Sequence, residues 1–193
     1  MRKYQTIYAD PPWEYGSWGK AEPTHRPNSK AYPMPYPTMK VKDIMALPVG
    51  QLADTNCELY LWTTQHYLPL AFSVIQLWGF KYCQTITWCK TPRGLGQGGI
   101  FCPTTEFLLL ARKGKMPKVK RLDSTWFLTK RPHNSHSTKP EFFQDMIEQV
   151  TNPPRIELFA RRKRFGWDCW GNEVDSDIEF SLQGKSDSSS GRV

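Results

Sequence analysis

The sequence predicts an α/β fold in a single domain, and three observations carry that expectation. Short runs rich in Ile, Leu, Tyr and Val recur along the chain, segments with helical spacing of apolar residues separate them, and the first run stops at two consecutive prolines. This first run, Tyr4-Gln5-Thr6-Ile7-Tyr8-Ala9, reads as a buried strand, and Asp10-Pro11-Pro12-Trp13 follows it directly. Proline has no backbone N–H and cannot extend a sheet ladder, so the strand ends there, with carbonyls turned outward beside a carboxylate and an indole. Ligands of open α/β sheets bind at the carboxyl ends of strands, which makes this polar cup with an aromatic wall the candidate site. A stiff strand exit, with Asp10 as a turn residue and Trp13 as a core anchor, is the alternative reading.

The cup suits one chemistry in particular. An adenine 6-amino group is a weak nucleophile because its lone pair is delocalised into the ring. Acceptors aimed at both N–H bonds, the Asp10 carboxylate and the Pro11 carbonyl, would hold the nitrogen so that the lone pair is freed. Trp13 would stack on the base, a contact of roughly 1–3 kcal/mol. The attacked partner would be an electrophilic methyl, and no metal is required.

Residues 14–37 follow, with prolines at 23, 27, 33, 35 and 37 and no hydrophobic period. A connection this long beside a strand end is expected to be a lid or substrate clamp. Thr38 can cap a short helix over 39–47, ended by Pro48. Residues 57–62 read as a buried strand, and 67–78 as a helix with Pro69 in its first turn, Leu70, Val74, Leu77 and Trp78 on one stripe, and Gly79 as its C-terminal cap. Residues 80–90 and 106–111 are two further strands. The glycines between them, at 94, 96, 98 and 99, resemble a dinucleotide fingerprint, but Phe101-Cys102-Pro103 supplies no helix for a pyrophosphate to sit on, so a mobile loop near the substrate is expected.

Residues 112–121 hold six positive charges, and with a short strand at 125–128 and the polar loop 130–136 they form a candidate phosphate-tracking surface. His133 and His136 lack cysteine or carboxylate partners at ligand spacing, which argues against a metal. Lys139-Pro140 opens a helix with Phe143, Met146, Ile147 and Val150 on its apolar face, Asn152-Pro153-Pro154 ends it, and residues 156–160 form a last strand before Arg161-Arg162-Lys163-Arg164.

At 193 residues and 39% hydrophobic content the chain can bury one full core. Its aromatic residues exceed what that core requires, so several rings are expected to line a groove for flat ligands. Five cysteines without CxxC spacing argue against a disulfide framework or zinc and read as mostly buried thiols. No apolar run approaches the ~18 residues of a membrane span and no signal-peptide pattern precedes the first strand, so a cytoplasmic protein is expected. The net charge is +8, and the acids concentrate in residues 173–193, leaving the rest more basic still. A basic domain of this kind has the electrostatic footprint of a nucleic-acid binder. Residues 1–173 are expected to form the catalytic domain and 174–193 a disordered Ser-rich and acidic tail.

The pattern as a whole resembles the DPPW adenine methyltransferases that use S-adenosylmethionine, the family of the methyltransferase-like-three catalytic subunit and its compact bacterial and phage relatives. Besides Asp10 to Trp13, the resemblance runs through Tyr36-Pro37-Thr38-Met39, Leu61-Trp62-Thr63-Thr64, Leu77-Trp78-Gly79-Phe80, Trp88-Cys89-Lys90-Thr91, Ser137-Thr138-Lys139-Pro140, Ile156-Glu157-Leu158-Phe159-Ala160-Arg161 and Gly171-Asn172-Glu173, in that order. It implies a Rossmann-like class I methyltransferase fold with circularly permuted motif order and a mixed sheet with an antiparallel edge hairpin. It further implies that Asp10, Pro11, Pro12 and Trp13 form the catalytic motif, and that Asp10, Lys139, Phe159, Arg161, Asn172 and Glu173 bind the cofactor. Trp13, Tyr36, Lys90, Glu106, Arg112 and Lys113 are the expected substrate contacts. The expected cofactor is S-adenosylmethionine without a metal. The expected substrate is nucleic acid, DNA ahead of RNA, with no membrane partner and with a homodimer or a heterodimer with a related chain as possible assemblies. Departures include Arg162-Lys163-Arg164 in place of the Pro-His-Asn run of larger members, and no strand before Asp10 beyond the first one to hold the cofactor adenine. A non-catalytic nucleic-acid-binding partner is the competing function.

Overall fold

The computed structural model describes residues 2–14, 37–91, 100–115, 120–132 and 138–180. Along the chain run β1 (Tyr4–Ala9), α1 (Val41–Ala46), β2 (Ala53–Thr63), α2 (Leu68–Leu77), β3 (Lys81–Thr91), β4 (Thr105–Lys113), β5 (Trp126–Lys130), α3 (Glu141–Val150), β6 (Arg155–Leu158) and β7 (Trp167–Trp170). The strands form one sheet in the order β5-β3-β4-β2-β1-β6-β7. β1 pairs in parallel with β2 and β6, and β6 with β7. β4 runs against both β2 and β3, and the short β5 lies parallel to β3 outside that antiparallel pair. This is the mixed sheet of a Rossmann-like fold, with the first strand in the chain near its centre.

Each face of the sheet has its own core, because strand residues alternate sides. Ile7, Ala9, Leu59, Leu61, Leu109 and Ala111 pack with Ile44 of α1 and Ala71, Val74 and Ile75 of α2. Tyr8, Tyr60, Trp62, Ile86, Trp88, Leu108 and Leu110 pack on the other face with Phe143, Met146 and Ile147 of α3. The α3 stripe matches its sequence pattern. The α2 stripe is rotated from the expected one: Ala71, Val74, Ile75 and Trp78 are buried, while Leu70 and Leu77 are exposed. That helix carries apolar residues on most of its circumference, so spacing alone does not choose the inner side. Gly79 does end α2, at φ +83°, where a side chain would be strained. α1 begins at Val41, later than expected, and Lys40 at its N-cap makes no side-chain cap bond, so Thr38 does not cap it.

Aromatic residues serve the core more than a groove. Trp13, Trp62, Trp78, Trp88 and Trp167 are all buried. Their indole N–H groups each find an acceptor, respectively Trp62 O, Tyr8 Oη, Ile44 O, Thr129 O and a Glu148 carboxylate oxygen, as burial of a polar atom demands. Of the cysteines, Cys57 and Cys169 are buried but Cys83 and Cys102 are exposed. The stretch after Glu173, expected to be disordered, is packed at least to Phe180, because Ile178 and Phe180 sit against the core and the Phe180 ring meets Trp170 edge-on at 4.7 Å. Residues 181–193 lie outside the described residues. No described helix is long and apolar enough to cross a membrane.

Candidate active site

β1 is flanked by β2 on one side and β6 on the other, all parallel. The chain reaches β2 through α1 and β6 through α3, on opposite faces of the sheet. A crevice opens beyond the carboxyl ends of the strands at such a switch point. Asp10-Pro11-Pro12 enters it from β1, and residues 159–161 enter it from β6. The cleft here is lined by Asp10, Pro12, Pro37, Met39, Phe159, Ala160, Arg161, Trp170, Gly171, Asn172 and Glu173.

Local backbone bonds give Asp10 its place. The Pro11 carbonyl accepts from the Trp13 N–H at 2.8 Å, closing a tight turn, and the Pro12 carbonyl accepts from the Met39 N–H at 2.8 Å. Both carbonyls expected to face outward therefore already take one bond, although a carbonyl oxygen has a second lone pair. Trp13 departs further from expectation. Its indole is 3% exposed, donates to Trp62 O at 3.1 Å and stacks on Tyr67 at 5.1 Å with 17° between planes. It anchors the motif from below and is not a wall of the cleft.

The Asp10 carboxylate heads a chain of charges on the α3 face. Lys139 Nζ lies 2.8 Å from Asp10 Oδ2 and 3.4 Å from Glu106 Oε2, and Lys90 donates to the other oxygen of Glu106. Lys139 and Lys90 also stand over the rings of Trp62 and Trp88 at 5.4 and 5.3 Å, a further attraction for buried cations. Two carboxylates and two ammonium groups balance, so the network can stay fully ionised. Burial raises the pKa of Asp10, and Lys139 opposes that shift. Burial pushes Glu106 up as well, but Lys139 and Lys90 together outweigh it and hold it below the usual carboxylate range. Four of the expected residues, Asp10, Lys90, Glu106 and Lys139, are thus brought together from β1, β3, β4 and the entry to α3.

Phe159 adopts a left-handed backbone (φ 64°), a conformation that costs a non-glycine residue about 1–3 kcal/mol. The turn is held by the Ala160 N–H donating to Trp170 O at 2.9 Å and by the edge-on contact of the Phe159 and Trp170 rings at 5.3 Å. Gly171 lies so close that a Cβ there would stand 2.1 Å from Ala160 O. Arg161 faces Glu173 at 3.7 Å. Apolar Phe159, Met39 and Trp170, the amide of Asn172, and charges of both signs at Asp10, Arg161 and Glu173 are a donor set that fits a nucleoside joined to an amino acid. A base can lie on the apolar part, ribose hydroxyls can bond to Asn172 and Glu173, and a charged amino-acid end can meet Asp10, Arg161 or Lys139.

Arg112 and Lys113 are not part of this site. β4 runs against its neighbours, so they lie six residues and more from Glu106 toward the opposite end of the sheet, about 20 Å at ~3.4 Å per residue. There Arg112 holds the buried Glu58 at 2.8 Å and Lys113 donates to Gly50 O at 3.4 Å. Tyr36, the 94–99 glycines, His133, His136 and most of the 14–37 segment fall outside the described residues. The Arg162-Lys163-Arg164 run is a brace for the protein itself: Arg162 pairs with Glu141, Arg164 with Asp145 and Glu148 of α3, and Lys163 with Asp175 and Asp177.

Trp170 lines the cleft without having been singled out in the sequence, and Gly171, part of the Gly171-Asn172-Glu173 match, lines it without an assigned role. Glu157 is a third residue without an assigned role. It pairs with Tyr8 across β6 and β1, accepts from Gln144 Nε2 of α3 at 2.7 Å, and is pushed up to about 7 by burial, with Asp10 adding to the rise and Arg162 and Arg164 opposing it. A carboxyl raised in the fold favours stability most below its unfolded pKa and loses that benefit as pH rises through the folded value. Glu157→Gln should therefore gain stability over the wild type progressively between pH ~4.5 and ~7, by on the order of 2–3 kcal/mol at the plateau, measured by urea unfolding across that range. A pH-independent difference would refute the assignment.

The model of the MT-A70 family matches residues 4–173. The type II methyltransferase M.MunI of a Mycoplasma species is 33% identical over 96% of this chain and 84% of its own length. The human N(6)-adenosine-methyltransferase catalytic subunit METTL3 is 27% identical over 91% of this chain but only 29% of its own length, and an MT-A70-like protein of Medicago truncatula is 28% identical over 90% and 27%. The chain thus spans little more than a quarter of those two eukaryotic relatives.

Proposed function

Because the chain belongs to the MT-A70 family, we propose that it is an S-adenosylmethionine-dependent adenine N(6)-methyltransferase acting on DNA. The observation that carries this reading is Asp10, set between Lys139 and the nucleoside-shaped cleft at the end of β1. The cofactor supplies an electrophilic methyl on sulfonium. Asp10 accepts one N–H of the adenine amine, the remaining lone pair of the Pro11 carbonyl accepts the other, and both hold the nitrogen in line for displacement. Burial, which raises the Asp10 pKa, also makes its carboxylate a better acceptor for the proton that the nitrogen sheds. Lys139 opposes the rise of the Asp10 pKa, and Glu106 remains beside Lys139 as a counter-ion when it turns to the carboxylate of the cofactor. Phe159, Arg161, Asn172 and Glu173 bind the rest of the cofactor.

Similarity to M.MunI over most of its length supports DNA as the substrate, and similarity to METTL3 keeps RNA as the second reading. Methyl-labelled S-adenosylmethionine is incubated separately with duplex DNA, single-stranded DNA and RNA, and the digested nucleosides are compared with an Asp10→Ala control. Labelled 6-methyladenine from DNA supports the proposal, label from RNA alone moves the substrate, and cofactor-independent nucleic-acid binding without label anywhere replaces it by a non-catalytic binding protein.

The cations that would meet phosphate are the ones the protein leaves unengaged. Lys40, Lys42 and Arg131 are exposed at the catalytic end, near Met39 and beyond β5, and their side chains make no ion pair among the described residues. Replacing all three by glutamine should lower the slope of log affinity against log salt by about 2–3 for duplex DNA. Arg162→Gln with Lys163→Gln should leave the slope unchanged. Equal slopes for wild type and the triple variant would exclude those contacts.

A further inference from the structure

The two edges of the sheet are treated differently. Along β7 the edge is covered by the segment after it, with the Asp177 N–H donating to Cys169 O at 2.8 Å and the Asp177 carboxylate accepting from the Cys169 N–H at 2.9 Å. β5 closes the other edge with the sequence Trp-Phe-Leu-Thr-Lys and alternating exposure. Trp126 and Leu128 are 62% and 65% exposed, whereas Phe127 turns inward against Phe142 and Phe143. Among the described residues no segment pairs with the outer side of β5, and an open edge strand of this composition is a template for pairing with another chain.

Backbone bonds show which groups point out. Thr125 O accepts from the Thr87 N–H at 2.7 Å and the Arg131 N–H donates to Thr91 O at 3.2 Å, so the odd-numbered residues of β5 face β3. The N–H and C=O of Trp126, Leu128 and Lys130 therefore face away from the sheet. At Trp126 they are capped locally, because Ser124 Oγ accepts from its N–H at 3.1 Å and donates to its carbonyl at 2.7 Å. Leu128 and Lys130 have no such cap among the described residues.

We propose that β5 pairs with β5 of a second copy of this chain, antiparallel and centred on Leu128. A second copy fits because the five-residue strand is complementary to itself in that register. Leu128 meets Leu128 of the other copy on the two-fold axis, where their N–H and C=O groups exchange two hydrogen bonds. Trp126 then stands opposite Lys130 of the other copy on the same face, and the ammonium can lie over the indole. Ser124 releases Trp126 as the outer bonds form. The two-fold axis is perpendicular to the sheet, so the catalytic ends point in opposite directions and neither is covered. An edge of five residues is small beside a standard interface, so a dimer of roughly micromolar affinity is expected.

Sedimentation of the full chain from 1 to 100 μM tests the pairing, with Leu128→Lys and Leu128→Glu measured alone and mixed. The wild type should shift from monomer to dimer, and each variant alone should weaken dimerisation at least tenfold by placing like charges on the axis. The mixture should restore it, because only residue 128 faces its own copy. A side chain this exposed changes stability little, and unchanged thermal melting of both variants confirms their fold. A wild type that is monomeric throughout, variants that dimerise as the wild type does, or a mixture that stays monomeric would each overturn the proposal. All of these are readings of mass, so they stand or fall apart from methyl transfer.

Discussion

Asp10→Asn will lower the single-turnover rate of methyl transfer, at saturating cofactor, by about 10²–10³ while the protein remains folded. The amide keeps one acceptor oxygen in place, so the loss measures charge at the amine. Stability survives because Lys139 is not left as a lone buried cation: Glu106 stands 3.4 Å from it and is itself held by Lys90. Removal of one partner from an isolated buried pair costs several kcal/mol, but here the network retains a carboxylate for Lys139. A rate within tenfold of wild type would remove Asp10 from the chemistry. Intact activity combined with a lower melting temperature would make it a structural residue only.

Gly171→Ala is expected to have the largest effect on the fold around the cleft beyond β1 and β6. The new methyl would stand 2.1 Å from Ala160 O and 2.7 Å from Ala160 N, and both are backbone atoms with no rotamer to change. The chain can yield only by parting β7 from the turn after β6, which breaks the Ala160 to Trp170 bond and releases the left-handed Phe159. A loss of about 3 kcal/mol or more in stability should follow, with at least tenfold weaker binding of S-adenosylmethionine by calorimetry. A melting temperature within about 2 °C of wild type would show that the turn adapts freely.

Most of the order of strands and helices was legible in the sequence because hard stops mark it: Pro11-Pro12 after β1, Gly79 after α2, and prolines 153 and 154 after α3; β7 was not, because the four residues Trp167–Trp170 are too short a run to mark a strand beyond the one expected to be last. The residues that the resemblance assigns to the cofactor, Asp10, Phe159, Arg161, Asn172 and Glu173, line one cleft because they lie next to strand ends and parallel pairing brings those ends together. Trp13 was misread because nothing near it in sequence says that Tyr67, on another element, covers its ring. Arg112 and Lys113 were misread because a strand does not announce its direction, and reversing β4 sends its basic end away from the catalytic end. The Arg162-Lys163-Arg164 run names no partner in the sequence; the docking of α3 brings acids to its arginines, and Lys163 meets Asp175 and Asp177 after β7.

The placement of β1 has a consequence for how the protein is made. The strand that leads to Asp10 precedes both of its neighbours in the chain, and one of them, β6, follows β2 only after α2, three further strands and α3. At about 5–20 residues per second, the roughly 90 residues between the end of β2 and the end of β6 take on the order of 5–20 seconds to emerge. During that interval β1 is a growing chain's open flank, and for most of it Asp10 has no Lys139 to face. A nascent chain interrupted anywhere in that window is a sticky half-sheet with no methyl-transfer site, so premature termination yields material for proteases and holdases rather than a weakened enzyme.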